Sequence, residues 1–143
     1  LSKNKLATLV KRDDLEPSKT ETTKTLEVST EENFDPEKTW QKGSYALRKL
    51  YHETQKPLFV IYTSSSCGPC HILKPQLHRV LNESNGKAIG VEIDIENDQD
   101  IAKQANVSGT PTVHLFKNKE LKKQWKGVKA RSEYKSALDE LVD

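Results

Sequence analysis

LFVIYTSSSCGPCHILKP, residues 58–75, holds the reading that decides the fold. Leu58 to Tyr62 is a continuous apolar run, rich in β-branched and aromatic residues. Such a run suits a central strand buried on both faces. Three serines follow, and then two cysteines three apart, Cys67 and Cys70. Beyond them Leu73, Leu77, Val80 and Leu81 recur at helical spacing, with Pro75 set to bend the helix they mark. The cysteine pair therefore sits where a buried strand turns into a helix.

Working outward, Ala88 to Ile95 alternates and reads as a second central strand. Ile101, Ala102 and Ala105 mark a short helix. Thr112 to Phe116 is a third strand and Glu120 to Trp125 a fourth, with Asn118-Lys119 between them. That spacing predicts an antiparallel hairpin. Tyr134, Leu138 and Leu141 form a last amphipathic helix. Upstream, Ala46, Leu47, Leu50 and Tyr51 place a helix over about 43–54. Strand–helix–strand units give a parallel core with helices on both faces. The expected fold is thus α/β: a central mixed sheet with a parallel core and an antiparallel C-terminal hairpin, flanked by helices.

The rest of the chain sets bounds. Of its 143 residues 34% are hydrophobic and 31% charged, which is lean for a packed chain. Residues 11–38 have no Gly and are dense in Thr, Glu and Lys. They read as a flexible linker, since they hold too little apolar surface to offset the entropy of ordering. Residues 1–10 carry three scattered leucines, weak helix or strand material with nothing to pack on, and the folded domain is placed at 39–143. The first residue is Leu1, which reads as an internal cut. A net charge of +2 gives no reason to expect nucleic acid or a membrane as partner. No run approaches the roughly 20 apolar residues of a membrane helix.

The cysteines carry the chemistry. Two are too few for the disulfide framework of a small secreted protein, and a tetrahedral zinc site would lack ligands. An isolated pair at this spacing points to redox activity. A helix N-terminus presents unpaired N–H groups and the positive end of the dipole, so a thiolate at Cys67 is stabilised there. Cys67 is the expected attacking thiol. Cys70, one turn inside, is placed to attack the mixed disulfide. Gly68 and Pro69 suit the tight first turn. Gly109-Thr110-Pro111-Thr112, before the third strand, fits either a plain turn or a cis Thr110–Pro111 bond.

In combination these residues resemble thioredoxin: CGPC at 67–70, LKP at 73–75, EIDIEND at 92–98, SGTPT at 108–112 and LFKNKE at 115–120. The resemblance covers about residues 34–143. It implies a thioredoxin fold in which Pro111 is cis and, with Thr110, shapes a substrate groove against the dithiol. GSYALRKLYHE at 43–53, YTSSSCGPCHILKP at 62–75 and GVKARSEY at 127–134 resemble more narrowly the C-terminal part of the NADPH-thioredoxin reductase C family of chloroplasts and cyanobacteria. In that family a flavin-containing reductase precedes a thioredoxin domain in one polypeptide. The resemblance implies that residues 1–10 are the remnant of a preceding reductase domain and 11–38 a flexible interdomain linker, with FAD and NADPH held in a reductase part outside this chain. It also implies that part as partner, from the same or the other subunit of a homodimer, with 2-Cys peroxiredoxin as target. The implied location is the chloroplast stroma or the cytoplasm of a cyanobacterium.

Two departures from ordinary thioredoxins stand out. Ser66 replaces the usual Trp before the first cysteine, and Ile61 replaces a buried acid that helps move the second thiol's proton. Glu92 on the neighbouring strand is a candidate substitute, beside its plain reading as a strand-end Glu. His71 is a candidate for tuning Cys67, because a cation beside a thiolate favours it. His71 and His78 lie seven apart, too far for one metal by themselves. His52 and His114 read as structural, Trp40 and Trp125 as packing anchors. A free-standing thioredoxin and a docking or chaperone module on this fold are the competing readings. The intact CGPC argues against the last.

Overall fold

The structure, a computed structural model, describes residues 27–142. Among the described residues nine elements run β1 (Trp40–Lys42), α1 (Ser44–Glu53), β2 (Leu58–Thr63), α2 (Gly68–Glu83), β3 (Ile89–Asp94), α3 (Gln99–Gln104), β4 (Thr112–Lys117), β5 (Glu120–Lys126) and α4 (Arg131–Asp139). The five strands form one sheet in the order β1-β3-β2-β4-β5.

All six residues of β2 are buried because helices cover both faces of the sheet. Phe59 and Ile61 point into a core built with Leu73, Leu77 and Leu81 of α2 and Tyr134 and Leu138 of α4. Leu58, Val60 and Tyr62 point the other way, toward Ala46 and Leu50 of α1 and Ile101 of α3. The two-residue alternation of a strand divides the apolar run between two cores. α2 runs on through Pro75 to Glu83. Leu141, expected within the last helix, lies just beyond α4 and packs against the same core.

The mixed sheet is as expected, with its parallel part made of β1, β3 and β2. Its antiparallel part is wider than a closing hairpin, because β4 runs antiparallel to β2 as well as to β5. The cause is the length of α3. Six residues of helix span about 9 Å, while a six-residue strand spans about 20 Å, so α3 does not carry the chain back along the sheet. β4 therefore starts at the end where β3 stops. The β4–β5 turn is closed by Asn118 and Lys119, both at positive φ (53° and 71°), as a two-residue hairpin loop demands.

β1 has no counterpart in the sequence reading. It is three residues long, and two of them are polar.

The expected linker 11–38 needs correction where it can be compared. Residues 1–26 lie outside the described residues, but 27–38 dock on the domain. Ser29 N–H donates to the Lys42 carbonyl at 2.8 Å, and buried Ser29 Oγ donates to Gln41 Oε1 at 3.1 Å. Gln41 Nε2 donates to the Asp35 carbonyl at 2.7 Å. Phe34 meets Tyr45 of α1 edge to face. The packed domain thus reaches back at least to Ser29. Polar pairing, which composition does not reveal, holds this segment in place of apolar density.

Candidate functional site

β2 ends at Thr63, and Ser64–Ser66 lead directly into α2. Cys67 is the residue that caps this helix: its Sγ accepts the Cys70 backbone N–H at 3.2 Å. Capping groups satisfy the free donors of a first turn, and here a sulfur does so. Pro69 stands inside the first turn, where a missing N–H costs nothing. Cys67 and Cys70 are joined by a disulfide across 5.4 Å between Cα atoms. Cys67 is 6% exposed and Cys70 1%. Around the pair, Ser66, Gly68, Pro69 and His71 are exposed, and Ile72 stands 61% open beside them. His71 makes no hydrogen bond to either sulfur among the described residues.

The second expected feature lies at the same end of the sheet. Thr112 opens β4 opposite Tyr62 of β2, which puts Pro111 beside the exit of β2 toward Cys67. The Thr110–Pro111 bond is cis. Pro111 is buried, and its carbonyl accepts Gly127 N–H at 2.8 Å. Ser64 Oγ and Thr110 Oγ1 lie 3.3 Å apart and share a hydrogen bond.

Glu92 is neither a surface nor a strand-end residue. It pairs in register with Ile61, so both side chains face α2. It is 7% exposed, and its carboxylate meets Lys74 Nζ at 2.8 Å. Lys74 lies one helical turn beyond Cys70. Sequence reading missed it, although the i, i+4 spacing from Cys70 was there to be read. It also missed Glu96, whose Oε1 accepts both Ser65 N–H (3.3 Å) and Ser65 Oγ–H (2.8 Å). Next to the pair, His78 stacks on Trp40 with ring centroids 4.1 Å apart, and burial pushes its pKa below the ordinary histidine value.

The thioredoxin family profile matches residues 39–140. The chain belongs to the thioredoxin family. The match spans the sheet, the dithiol turn and the Pro111 loop together. The chain is 50% identical over 109 residues to NADPH-dependent thioredoxin reductase 3 of Arabidopsis thaliana, covering 76% of this chain and 21% of that protein. It is 32% identical over 89 residues to a mitochondrial thioredoxin of Bos taurus, covering 62% of this chain and 54% of that protein. It thus spans about a fifth of the first relative and about half of the second. A mutant thioredoxin from Halobacterium salinarum superposes with a TM-score of 0.66 at 20% identity, over 78% of this chain and 96% of that one, a likeness of fold. As a thioredoxin domain with a closed Cys67–Cys70 pair, the chain is a thiol–disulfide oxidoreductase, and the pair is its redox-active disulfide. No described helix is long and apolar enough to cross a membrane.

Proposed function

We propose that this thioredoxin domain is the electron-delivering end of an NADPH-dependent thioredoxin reductase, reducing 2-Cys peroxiredoxin. The observation that carries the chemistry is the sulfur cap. Cys67 Sγ stands at the positive end of α2 and receives the Cys70 N–H, and Cys67 is the more open of the two cysteines. In the reduced protein the same donor and dipole hold Cys67 as a thiolate. That thiolate attacks one sulfur of a target disulfide, forming a mixed disulfide and releasing the first target thiol. Cys70, deprotonated, then attacks Cys67 Sγ. The second target thiol leaves, and the Cys67–Cys70 bond closes with two electrons passed on.

The remaining site residues take supporting parts. Thr110 and Pro111 form the wall against which the target strand lies. Glu92, paired with Lys74 of α2, takes the Cys70 proton in this reading. Ser66 leaves the mouth open. His71 adds positive charge beside Cys67 whenever it is protonated.

The higher identity to the reductase relative, 50% against 32%, favours the reductase-linked reading over a free-standing thioredoxin. The six glycines of the chain stand singly, so it holds no glycine-rich nucleotide loop of its own. FAD and NADPH would be held by a preceding reductase part, of the same or the partner subunit, and supply the two electrons that reopen the pair. A plastid stroma or a cyanobacterial cytoplasm is the setting for this exchange.

The test is turnover. The chain, reduced with dithiothreitol and freed of it, is mixed with oxidised 2-Cys peroxiredoxin, and free peroxiredoxin thiols are counted over time. Stoichiometric transfer within seconds to minutes supports the reading. Reduction of insulin without reduction of peroxiredoxin would leave a thioredoxin with a different target.

A further inference from the structure

Three loops meet at the dithiol end of the sheet: 64–67 after β2, 94–98 after β3 and 108–111 before β4. The serine run Ser64-Ser65-Ser66 is the first of them, and two of its hydroxyls bind the other two loops. Ser64 Oγ shares its hydrogen bond with Thr110 Oγ1, next to Pro111. Ser65 gives both its N–H and its hydroxyl to one oxygen of Glu96. Glu96 is itself fixed by a tight turn. Asp94 Oδ1 accepts its N–H at 2.8 Å, and Asn97 and Asp98 N–H both donate to the Asp94 carbonyl. The Cys67 N–H closes the set by donating to the Ser64 carbonyl at 3.2 Å.

We infer that Ser64, Ser65 and Glu96 form a hydroxyl clasp that holds the Pro111 loop in register with Cys67 for a protein target. They are positioning residues and touch neither sulfur. A target strand must meet two things at once, the Cys67 sulfur and the backbone at Thr110–Pro111. The β2–β4 ladder does not fix their separation, because both belong to loops beyond its last pair, Tyr62–Thr112, and the Gly127 N–H bond to the Pro111 carbonyl ties that loop to β5 alone. The Ser64–Thr110 link spans that gap. The Ser65–Glu96 link stops the loop carrying Ser64 from swinging outward. A small disulfide uses only the sulfur, so it does not need the register. The clasp therefore sets preference for protein over small-molecule disulfides. This rests on the proposed reading of Thr110 and Pro111 as the wall of the target groove.

The experiment compares two disulfides on the same reduced chain: insulin, and 5,5′-dithiobis(2-nitrobenzoate). The variants are Ser64→Ala, Ser65→Ala, Glu96→Ala and Glu96→Gln. Loss of one net hydrogen bond in the bound state corresponds to about a fivefold loss in kcat/KM. That loss is expected for insulin with Ser64→Ala, Ser65→Ala and Glu96→Ala, carried in KM. The small disulfide should react at the wild-type rate with all of them. Glu96→Gln keeps the accepting oxygen and should keep most of the insulin rate. Equal losses on both disulfides, or no loss on insulin, would overturn the clasp while leaving the oxidoreductase reading intact. A wild-type chain that reduces neither disulfide would instead overturn that reading, and the clasp with it.

Discussion

Lys74 Nζ lies 2.8 Å from the Glu92 carboxylate, one helical turn beyond Cys70 on α2. The lysine side chain is 28% exposed and the glutamate 9%. The two partners therefore carry unequal risk. Lys74→Met leaves a buried carboxylate without a counter-charge and should cost about 3 kcal/mol, the low end for a broken buried pair. Glu92→Gln leaves the more open lysine to find water and should cost about 1 kcal/mol. The double change Lys74→Met with Glu92→Leu should fall within about 1 kcal/mol of wild type. Urea midpoints at constant slope decide the order.

His114 gives the fold a pH dependence. It is 2% exposed, its Nδ1 is hydrogen-bonded to Tyr62 OH at 3.2 Å, and its Nε2 finds no partner among the described residues. Burial pushes its pKa below the ordinary 6.5, and pushes Tyr62 up to about 12, so both stay neutral in the folded protein. The unfolded chain binds a proton at His114 near pH 6.5 and the folded chain does not. Stability is then complete above that pH and falls as pH drops toward the folded value, by up to about 1.4 kcal/mol per pH unit. His78, also lowered by burial, adds to the same slope. Melting temperatures from about pH 7 to 5.5 should fall for wild type and fall less for His114→Phe.

The docked segment 27–38 is expected to matter for stability. A chain starting at Glu27 should melt with the full chain. One starting at Thr39 loses the Ser29–Lys42, Ser29–Gln41 and Gln41–Asp35 hydrogen bonds, and should be about 2 kcal/mol less stable. Equal urea midpoints would show that the segment contributes nothing.

Gly90 of β3 lies between Trp40 of β1 and Leu81 of α2. A Cβ there would meet the Trp40 ring at 2.5 Å and Leu81 Cδ1 at 2.6 Å. The Trp40 ring is rigid and Leu81 is buried in the core, so Gly90→Ala should cost about 2–3 kcal/mol through overpacking. Loss of the Trp40–His78 stack would appear as a shift in tryptophan fluorescence.

The parts legible in the sequence were those carried by dense local signals. The run 58–62 announced a strand buried twice over, CGPC a strand-to-helix dithiol, and Asn118-Lys119 a hairpin. What escaped was held by long-range polar pairing. β1 is three residues whose only sheet partner among the described residues is 50 positions away. Ser29 and Gln41 look like solvated residues until the chain returns on itself. The partnership of Glu92 with Lys74 requires knowing that β3 lies beneath α2. The direction of β4 depended on the length of α3, which periodicity alone does not fix.

The proposed exchange depends on Cys67 attacking and Cys70 resolving. Reduced wild-type, Cys70→Ser and Cys67→Ser chains are each treated with a slight excess of 5,5′-dithiobis(2-nitrobenzoate), and the products are weighed intact by mass spectrometry. Wild type should react fast and end unlabelled, its pair closed. Cys70→Ser should react equally fast and remain labelled at Cys67, because no thiol is left to release the adduct. Cys67→Ser should react far more slowly at the buried Cys70. A fast, stable label on Cys70 in Cys67→Ser, with Cys70→Ser unreactive, would contradict the assignment of roles.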